Sequence, residues 1–146
     1  MAKEKIKILF LCSANSCRSQ MAEGWARALK SDALEPRSAG IVSSGLNLSA
    51  VKVMAEAGVS IENQSSKSVD DVRNIPFDYV VTVCSEADAV CPLFPGGAKV
   101  VHVPFDDPPK LAAGAASEEE ALDHYRRVRD EIREFIEHLP GALEGI

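Results

Sequence analysis

The stretch of sequence that decides the fold is residues 5–19, which read KIKILFLCSANSCRS. Residues 5–11 form a short apolar run of strand length, which predicts a parallel β-strand buried on both faces. A loop of small polar residues follows, and the helix formers of residues 19–30 then predict a helix whose start Ser16 and Ser19 can cap. The order strand, tight loop, helix is typical of the first unit of an α/β sheet.

The same alternation continues along the chain. We predict further strands at residues 37–40, 77–83 and 99–103, helices at 48–57, 69–74, 85–90 and 117–139, and a long loop over 104–116. The last helix carries an apolar stripe that we assign to the core: Leu122, Tyr125, Val128, Ile132, Phe135, Ile136 and Leu139. We therefore expect a single α/β domain over residues 1–146, a three-layer sandwich around a central four-stranded parallel sheet, with its ligand site at the carboxyl ends of the strands.

Composition excludes several classes of protein. The chain has 146 residues, of which 46% are hydrophobic and 26% charged, as in an ordinary globular domain. Its net charge of −6 opposes non-specific binding to nucleic acid or to an anionic membrane. No apolar run approaches the roughly 20 residues that span a bilayer, and residues 6–12 are too short for a secretory signal. We expect a soluble, cytoplasmic, monomeric protein that binds neither nucleic acid nor membranes.

Four cysteines, Cys12, Cys17, Cys84 and Cys91, need an explanation. Structural disulfides are disfavoured in a reducing compartment, and the spacings C-x4-C and C-x6-C fit zinc modules poorly. Any single cysteine could be an inert buried thiol, and Cys17 is the best candidate for that role. For the others we favour a functional role, with no metal ion.

The loop after the first predicted strand carries the chemistry. Its backbone N–H groups converge at a helix N-terminus and predict an oxyanion site, formed by Ser13, Ala14, Asn15, Ser16, Cys17, Arg18 and Ser19. At the start of this loop, the positive end of the helix dipole and the nearby Arg18 favour the thiolate of Cys12. Arg18 adds a planar fork of donors that can hold two oxygens of a tetrahedral oxyanion, and the Ser19 hydroxyl could donate to the thiolate.

The pattern Cys12 to Arg18, followed by Ser-Gln-Met-Ala-Glu-Gly, resembles the phosphate loop of low-molecular-weight protein tyrosine phosphatases. Within that superfamily the chain is most similar to the thioredoxin-coupled arsenate reductases. The resemblance continues through nearly the whole chain, at Ser38-Ala39-Gly40, Val83-Cys84-Ser85, Cys91-Pro92, Phe105-Asp106-Asp107-Pro108 and residues 125–132. It implies a low-molecular-weight phosphatase-like fold, arsenate as the substrate, thioredoxin as the reductant and no cofactor.

The resemblance also assigns roles outside the loop. Asp107 matches the general acid of the family, and Asp106 is the competing assignment. Reduction of arsenate needs two electrons, which Cys84 and Cys91 could supply in a Cys12–Cys84–Cys91 thiol-disulfide relay. Cys84 follows a strand parallel to the one that ends at Cys12, so both sulfurs are expected at one edge of the sheet. A helix would separate Cys84 and Cys91 by about 10 Å, beyond the roughly 7 Å that a disulfide tolerates, so the segment between them must unwind.

One position departs from the family. Some members hold a structural potassium ion, and Asn15, Glu23 and Ser38 match three of its ligands, but Lys67 stands where those members have an acidic residue. We expect the Lys67 ammonium group to replace the ion.

Two other classes of function remain open. A phosphotyrosine phosphatase would share Cys12, Arg18 and Asp107, but it carries aromatic residues where this chain has Pro109 and Lys110. A non-enzymatic protein that binds oxyanions, or a redox-interaction protein, is the third alternative. A reductase consumes reductant during turnover, whereas a non-enzymatic protein of this third class does not.

Overall fold

The computed structural model describes residues 5–12, 17–41, 45–83 and 98–144. In chain order the elements are β1 (Ile6–Cys12), α1 (Arg18–Leu29), β2 (Leu34–Gly40), α2 (Leu48–Glu56), α3 (Val69–Val72), β3 (Tyr79–Thr82), β4 (Lys99–His102), α4 (Pro108–Ala112), α5 (Glu118–Glu137) and α6 (Gly141–Glu144). Among these described residues, no helix combines the length and the apolar character that a membrane span requires.

The strands form one parallel sheet in the order β2-β1-β3-β4, so the predicted four-stranded parallel sheet is confirmed. Its register pairs Cys12 with Gly40 and Leu11 with Thr82. Because the strands are parallel, their carboxyl ends lie at one edge of the sheet. Cys12, the end of β1, lies at that edge beside the end of β3.

The core lies on both faces of the sheet, because alternate residues of β1 point to opposite sides. Ile8, Phe10 and Cys12 pack in a large cluster with side chains of α1, α2 and α5. Leu9 and Leu11 pack on the other face, in a cluster that includes Val72 of α3 and Phe77. These two clusters confirm the predicted three-layer arrangement.

The apolar stripe of α5 does face the core. Phe135 is half-buried, and the other six side chains of the stripe are buried: Leu122, Tyr125, Val128, Ile132, Ile136 and Leu139. Arg126, on the outer side of α5, donates to both carboxylate oxygens of Glu56 at 2.9 Å, which joins α5 to α2. This paired contact adds an electrostatic link to the apolar packing of the two helices.

Two expectations about local structure are wrong. The predicted loop over residues 104–116 contains the short helix α4, which starts at Pro108 because proline is tolerated in the first turn of a helix. The N-cap residue of α1 is Cys17, and the Ser19 side chain contacts Cys12 instead of capping the helix. Ser16 and the predicted helix over residues 85–90 lie outside the described residues.

Candidate active site

Cys12 is placed at the junction between β1 and α1. It is the last residue of β1, its side chain is buried, and its Sγ lies 3.0 Å from the hydroxyl oxygen of Ser19 in the first turn of α1. A hydroxyl donates readily to a thiolate, and the N-terminal end of a helix favours negative charge. The surroundings of Cys12 therefore suit an anionic sulfur nucleophile.

Arg18, the first residue of α1, reaches across to the segment between β4 and α4. Its Nη1 donates to the backbone carbonyl of Phe105 at 3.1 Å, and its Nη2 lies 3.8 Å from Oδ1 of Asp107. The Arg18 side chain is 5% exposed, whereas that of Asp107 is 29% exposed. The structure thus brings together two residues that the sequence predicted for one site, and it leaves the Asp107 carboxyl accessible from solvent.

The two adjacent carboxylates, Asp106 and Asp107, point in different directions. Burial alternates from Val103 to Asp107, as expected for an extended segment, so that Asp106 is exposed while Asp107 is half-buried. Asp106 accepts from Nη2 of Arg127 at 3.0 Å on the outer side of α5. Of the two, only Asp107 faces Arg18 within ion-pair distance in the described part of the chain.

Cys17 differs sharply from Cys12 in its surroundings. It is buried, and burial raises the pKa of its thiol far above the usual range. The negative charges of Cys12 and Asp107 raise this pKa further, against the opposing effect of Arg18. These surroundings favour the neutral thiol of Cys17, and its side chain packs in the large core cluster at the start of α1.

Part of the predicted site lies outside the described residues. This part comprises four residues of the oxyanion loop and two thiols: Ser13, Ala14, Asn15, Ser16, Cys84 and Cys91. Their roles stay predictions from the sequence.

A second charged cluster surrounds Glu23, whose carboxylate is 3% exposed. Ser38 donates to its Oε1 at 2.6 Å and Arg27 to its Oε2 at 2.9 Å, while Nζ of Lys67 lies 4.0 Å from Oε1. Lys67 also donates to the carbonyl of Ser65 at 2.7 Å. The Lys67 ammonium group thus lies beside Glu23, which matches one of the potassium ligands of the family.

Sequence reasoning missed the contacts made by Tyr125. Its hydroxyl accepts from Nδ2 of Asn47, the N-cap residue of α2, at 3.2 Å. Burial raises the pKa of Tyr125, and the negative charge of Asp107 adds to this effect. Hydrogen bonds with Asn47 and Ser49 act in the opposite direction. The phenol therefore lies within electrostatic reach of the site. The α5 stripe indicated only its burial, because helical spacing carries no information on what a hydroxyl contacts.

The fold and the Cys12–Arg18 loop together define the class of protein. The chain belongs to the low molecular weight phosphotyrosine protein phosphatase family, whose model matches residues 7–144.

More specific similarities lie within that family. An arsenate reductase of Bacillus subtilis is 48% identical over 135 residues, covering 89% of this chain and 94% of the relative. The solved structure of an arsenate reductase in the phosphate binding state matches with a TM-score of 0.77 at 28% identity, covering 94% of this chain and 98% of that one. An arsenate reductase solved in the oxidized state matches with a TM-score of 0.75 at 28% identity, covering 93% and 97%.

Proposed function

We propose that this protein is an arsenate reductase that acts in arsenic detoxification. The observation that carries the proposal is the pair of contacts made by two consecutive residues at the start of α1. Ser19 lies 3.0 Å from the sulfur of Cys12, and Arg18 lies 3.8 Å from the carboxylate of Asp107. These contacts support the proposed roles of Cys12 as the nucleophile, Arg18 as the oxyanion-binding cation and Asp107 as the proton donor. The similarity to arsenate reductases over most of the chain supports arsenate as the oxyanion.

In the first step the Cys12 thiolate attacks the arsenic atom of arsenate. Arg18 and the backbone N–H groups of the loop hold the remaining oxygens and offset their charge. A sulfur–arsenic bond forms and an arsenic–oxygen bond breaks, with Asp107 donating the proton that lets the oxygen leave as water. Arsenic is still pentavalent in this adduct.

The reduction occurs in the second step. The thiolate of Cys84 attacks the sulfur of Cys12, a disulfide forms between them, and the electron pair of the sulfur–arsenic bond leaves with arsenic as arsenite. Cys91 then attacks the sulfur of Cys84, which frees the Cys12 thiolate and leaves a Cys84–Cys91 disulfide. Each turnover oxidises two thiols and reduces one arsenate, so electrons balance.

An external dithiol must then restore the two thiols. Thioredoxin, with a reduction potential of about −270 mV, is the reductant that we propose. The similarity to an arsenate reductase solved in an oxidized state is in keeping with such a cycle.

A coupled assay tests this function. Purified protein is mixed with thioredoxin, thioredoxin reductase and NADPH, and arsenate-dependent loss of NADPH absorbance is compared with the formation of arsenite. We expect one arsenite for each NADPH consumed, and no turnover by the Cys12→Ser variant.

The alternative is a phosphotyrosine phosphatase, and the same preparations decide between the two. Fast hydrolysis of an aryl phosphate or a phosphotyrosine peptide without arsenate-dependent NADPH oxidation would overturn the proposal. Slow aryl phosphate hydrolysis beside arsenate reduction agrees with it, because both reactions use Cys12, Arg18 and Asp107.

A further inference from the structure

Among the described residues, the contacts of the Asp107 carboxylate do little to fix its direction. Its carboxylate makes no capping hydrogen bond at the start of α4, and its contact with Arg18 is long, at 3.8 Å. The direction of the Asp107 carboxyl group therefore depends on how the backbone of residues 105–107 is held.

Helix α5 holds this segment from the outside. Arg127, Glu131 and Phe135 lie four residues apart and so share one face of the helix. Nη2 of Arg127 donates to Asp106 at 3.0 Å, and Nη1 of the same guanidinium donates to Glu131 at 3.0 Å. The guanidinium is thus fixed on two sides, once to its own helix and once to the segment.

Phe105, the residue before Asp106, is held both through its ring and through its backbone. The ring of Phe105 packs against that of Phe135, with centroids 6.2 Å apart and planes at 59°. Its backbone carbonyl accepts from the buried Arg18, and its N–H donates to the carbonyl of Val83 at 3.3 Å. The contacts of Phe105 and the ion pair between Asp106 and Arg127 therefore fix the backbone that precedes Asp107, whose side chain points toward Arg18.

From these contacts we infer that Arg127 is a positioning residue for the general acid, acting through its ion pair with Asp106. This inference rests on the proposed role of Asp107. The ion pair has a second consequence. It keeps Asp106 on the outer side of α5, so that Asp106 does not compete with Asp107 for Arg18. The pair is partly exposed, with side chains 44% and 61% accessible, so its loss should change the rate by only about two- to fivefold.

The test is a set of double-mutant comparisons on the reduced enzyme. The rate of the first arsenite release is measured by quench-flow at subsaturating arsenate for wild type, Arg127→Gln, Asp107→Asn and the double variant. We expect Asp107→Asn to cost on the order of 100-fold. Arg127→Gln should cost about two- to fivefold in the wild-type background and nothing further in the Asp107→Asn background.

Two more variants separate positioning from general loss of structure. Arg127→Lys keeps the charge and should recover most of the rate. Arg126→Gln breaks the contacts of the adjacent arginine with Glu56, Glu119 and Asp123, and should leave the rate unchanged below the melting temperature. The dissociation constant of inorganic phosphate should stay the same in Arg127→Gln, since Arg18 and the loop are intact.

The outcomes distinguish the inference from its premise. If Arg127→Gln is without effect, or slows both backgrounds equally, the positioning role is wrong while the proposed function stands. If Asp107→Asn itself reacts at the wild-type rate, the assignment of the general acid fails, and the role of Arg127 fails with it.

Discussion

The sulfur of Cys12 and the hydroxyl oxygen of Ser19 form a buried contact at 3.0 Å between the end of β1 and the start of α1. The relationship shows that the Ser19 side chain contacts the sulfur of Cys12 and does not cap α1. The Ser19 hydroxyl can donate to the sulfur, while Cys17 takes the N-cap position and its side chain makes no capping hydrogen bond within the described part of the chain.

Replacing Ser19 with alanine should make the Cys12 thiolate less favourable. A hydrogen bond to a charged group contributes about 1.5 kcal/mol or more, so we expect Ser19→Ala to slow alkylation of Cys12 by iodoacetamide at pH 6, by up to about tenfold for a bond of that strength. Ser31→Ala, which removes a surface hydroxyl beyond the end of α1, is the matched control. An unchanged alkylation rate in Ser19→Ala would show that this hydroxyl does not stabilise the thiolate.

Cys17 should behave as an inert thiol. Burial raises the pKa of Cys17, and the nearby negative charges act in the same direction. We therefore expect iodoacetamide at pH 8 to label Cys12 in the native protein but to reach Cys17 only after denaturation, as judged by peptide mapping. Cys17→Ala should retain measurable arsenate reduction. Its complete loss, with unchanged circular dichroism, would contradict a structural role.

The sequence predicted more of the sheet and the nucleophile than of the contacts that orient them. The apolar run of β1 and the helix formers after it place Cys12 and Arg18 at a sheet edge, because these patterns are local. One partner of Arg18 is the backbone carbonyl of Phe105, and a carbonyl has no sequence signature. Helix α4 was missed because Pro108-Pro109 favours a loop as strongly as the first turn of a helix.

The charged cluster around Glu23 should make the protein insensitive to the choice between potassium and sodium. Lys67 already places a positive charge 4.0 Å from Glu23, so a bound cation would meet repulsion. We expect equal melting temperatures and equal kcat/KM in KCl and NaCl at the same ionic strength. Lys67→Met should lower the melting temperature in both salts, because a buried carboxylate loses a positive neighbour. A stabilisation specific to potassium in the wild type would refute this interpretation.

The ion pair between Glu56 and Arg126 should give a stability difference that depends on pH. The hydrogen bond from Arg126 holds the pKa of Glu56 below its ordinary value of 4.5. The carboxylate therefore contributes stability above pH 4.5, and this contribution is lost as the pH falls through the lower pKa of the folded state. Glu56→Gln should be less stable than wild type in urea titrations at pH 7, and the difference should shrink below pH 4.5. A difference that is independent of pH would exclude this electrostatic origin.

The order of the relay gives the last prediction. The carboxyl ends of β1 and β3 are neighbours in the parallel sheet, and Cys84 follows β3 by two residues, so Cys84 is the thiol expected to attack Cys12. Cys91, further along the chain, acts only on Cys84. Cys91→Ser should therefore release about one arsenite per enzyme and stop as a Cys12–Cys84 disulfide. Cys84→Ser should release essentially none while still hydrolysing an aryl phosphate slowly.

Quench-flow counting of arsenite, combined with peptide mapping of the trapped disulfide, measures both outcomes in one experiment. Cys17→Ala is the control, because removing a thiol outside the relay should leave multiple turnovers intact. If Cys91→Ser turns over many times with thioredoxin, the second resolving thiol is unnecessary. In that case thioredoxin either reduces the Cys12–Cys84 disulfide directly, or supplies the thiol that attacks the sulfur of the Cys12 adduct in place of Cys84, so that the sulfur–arsenic bonding pair still leaves with arsenic.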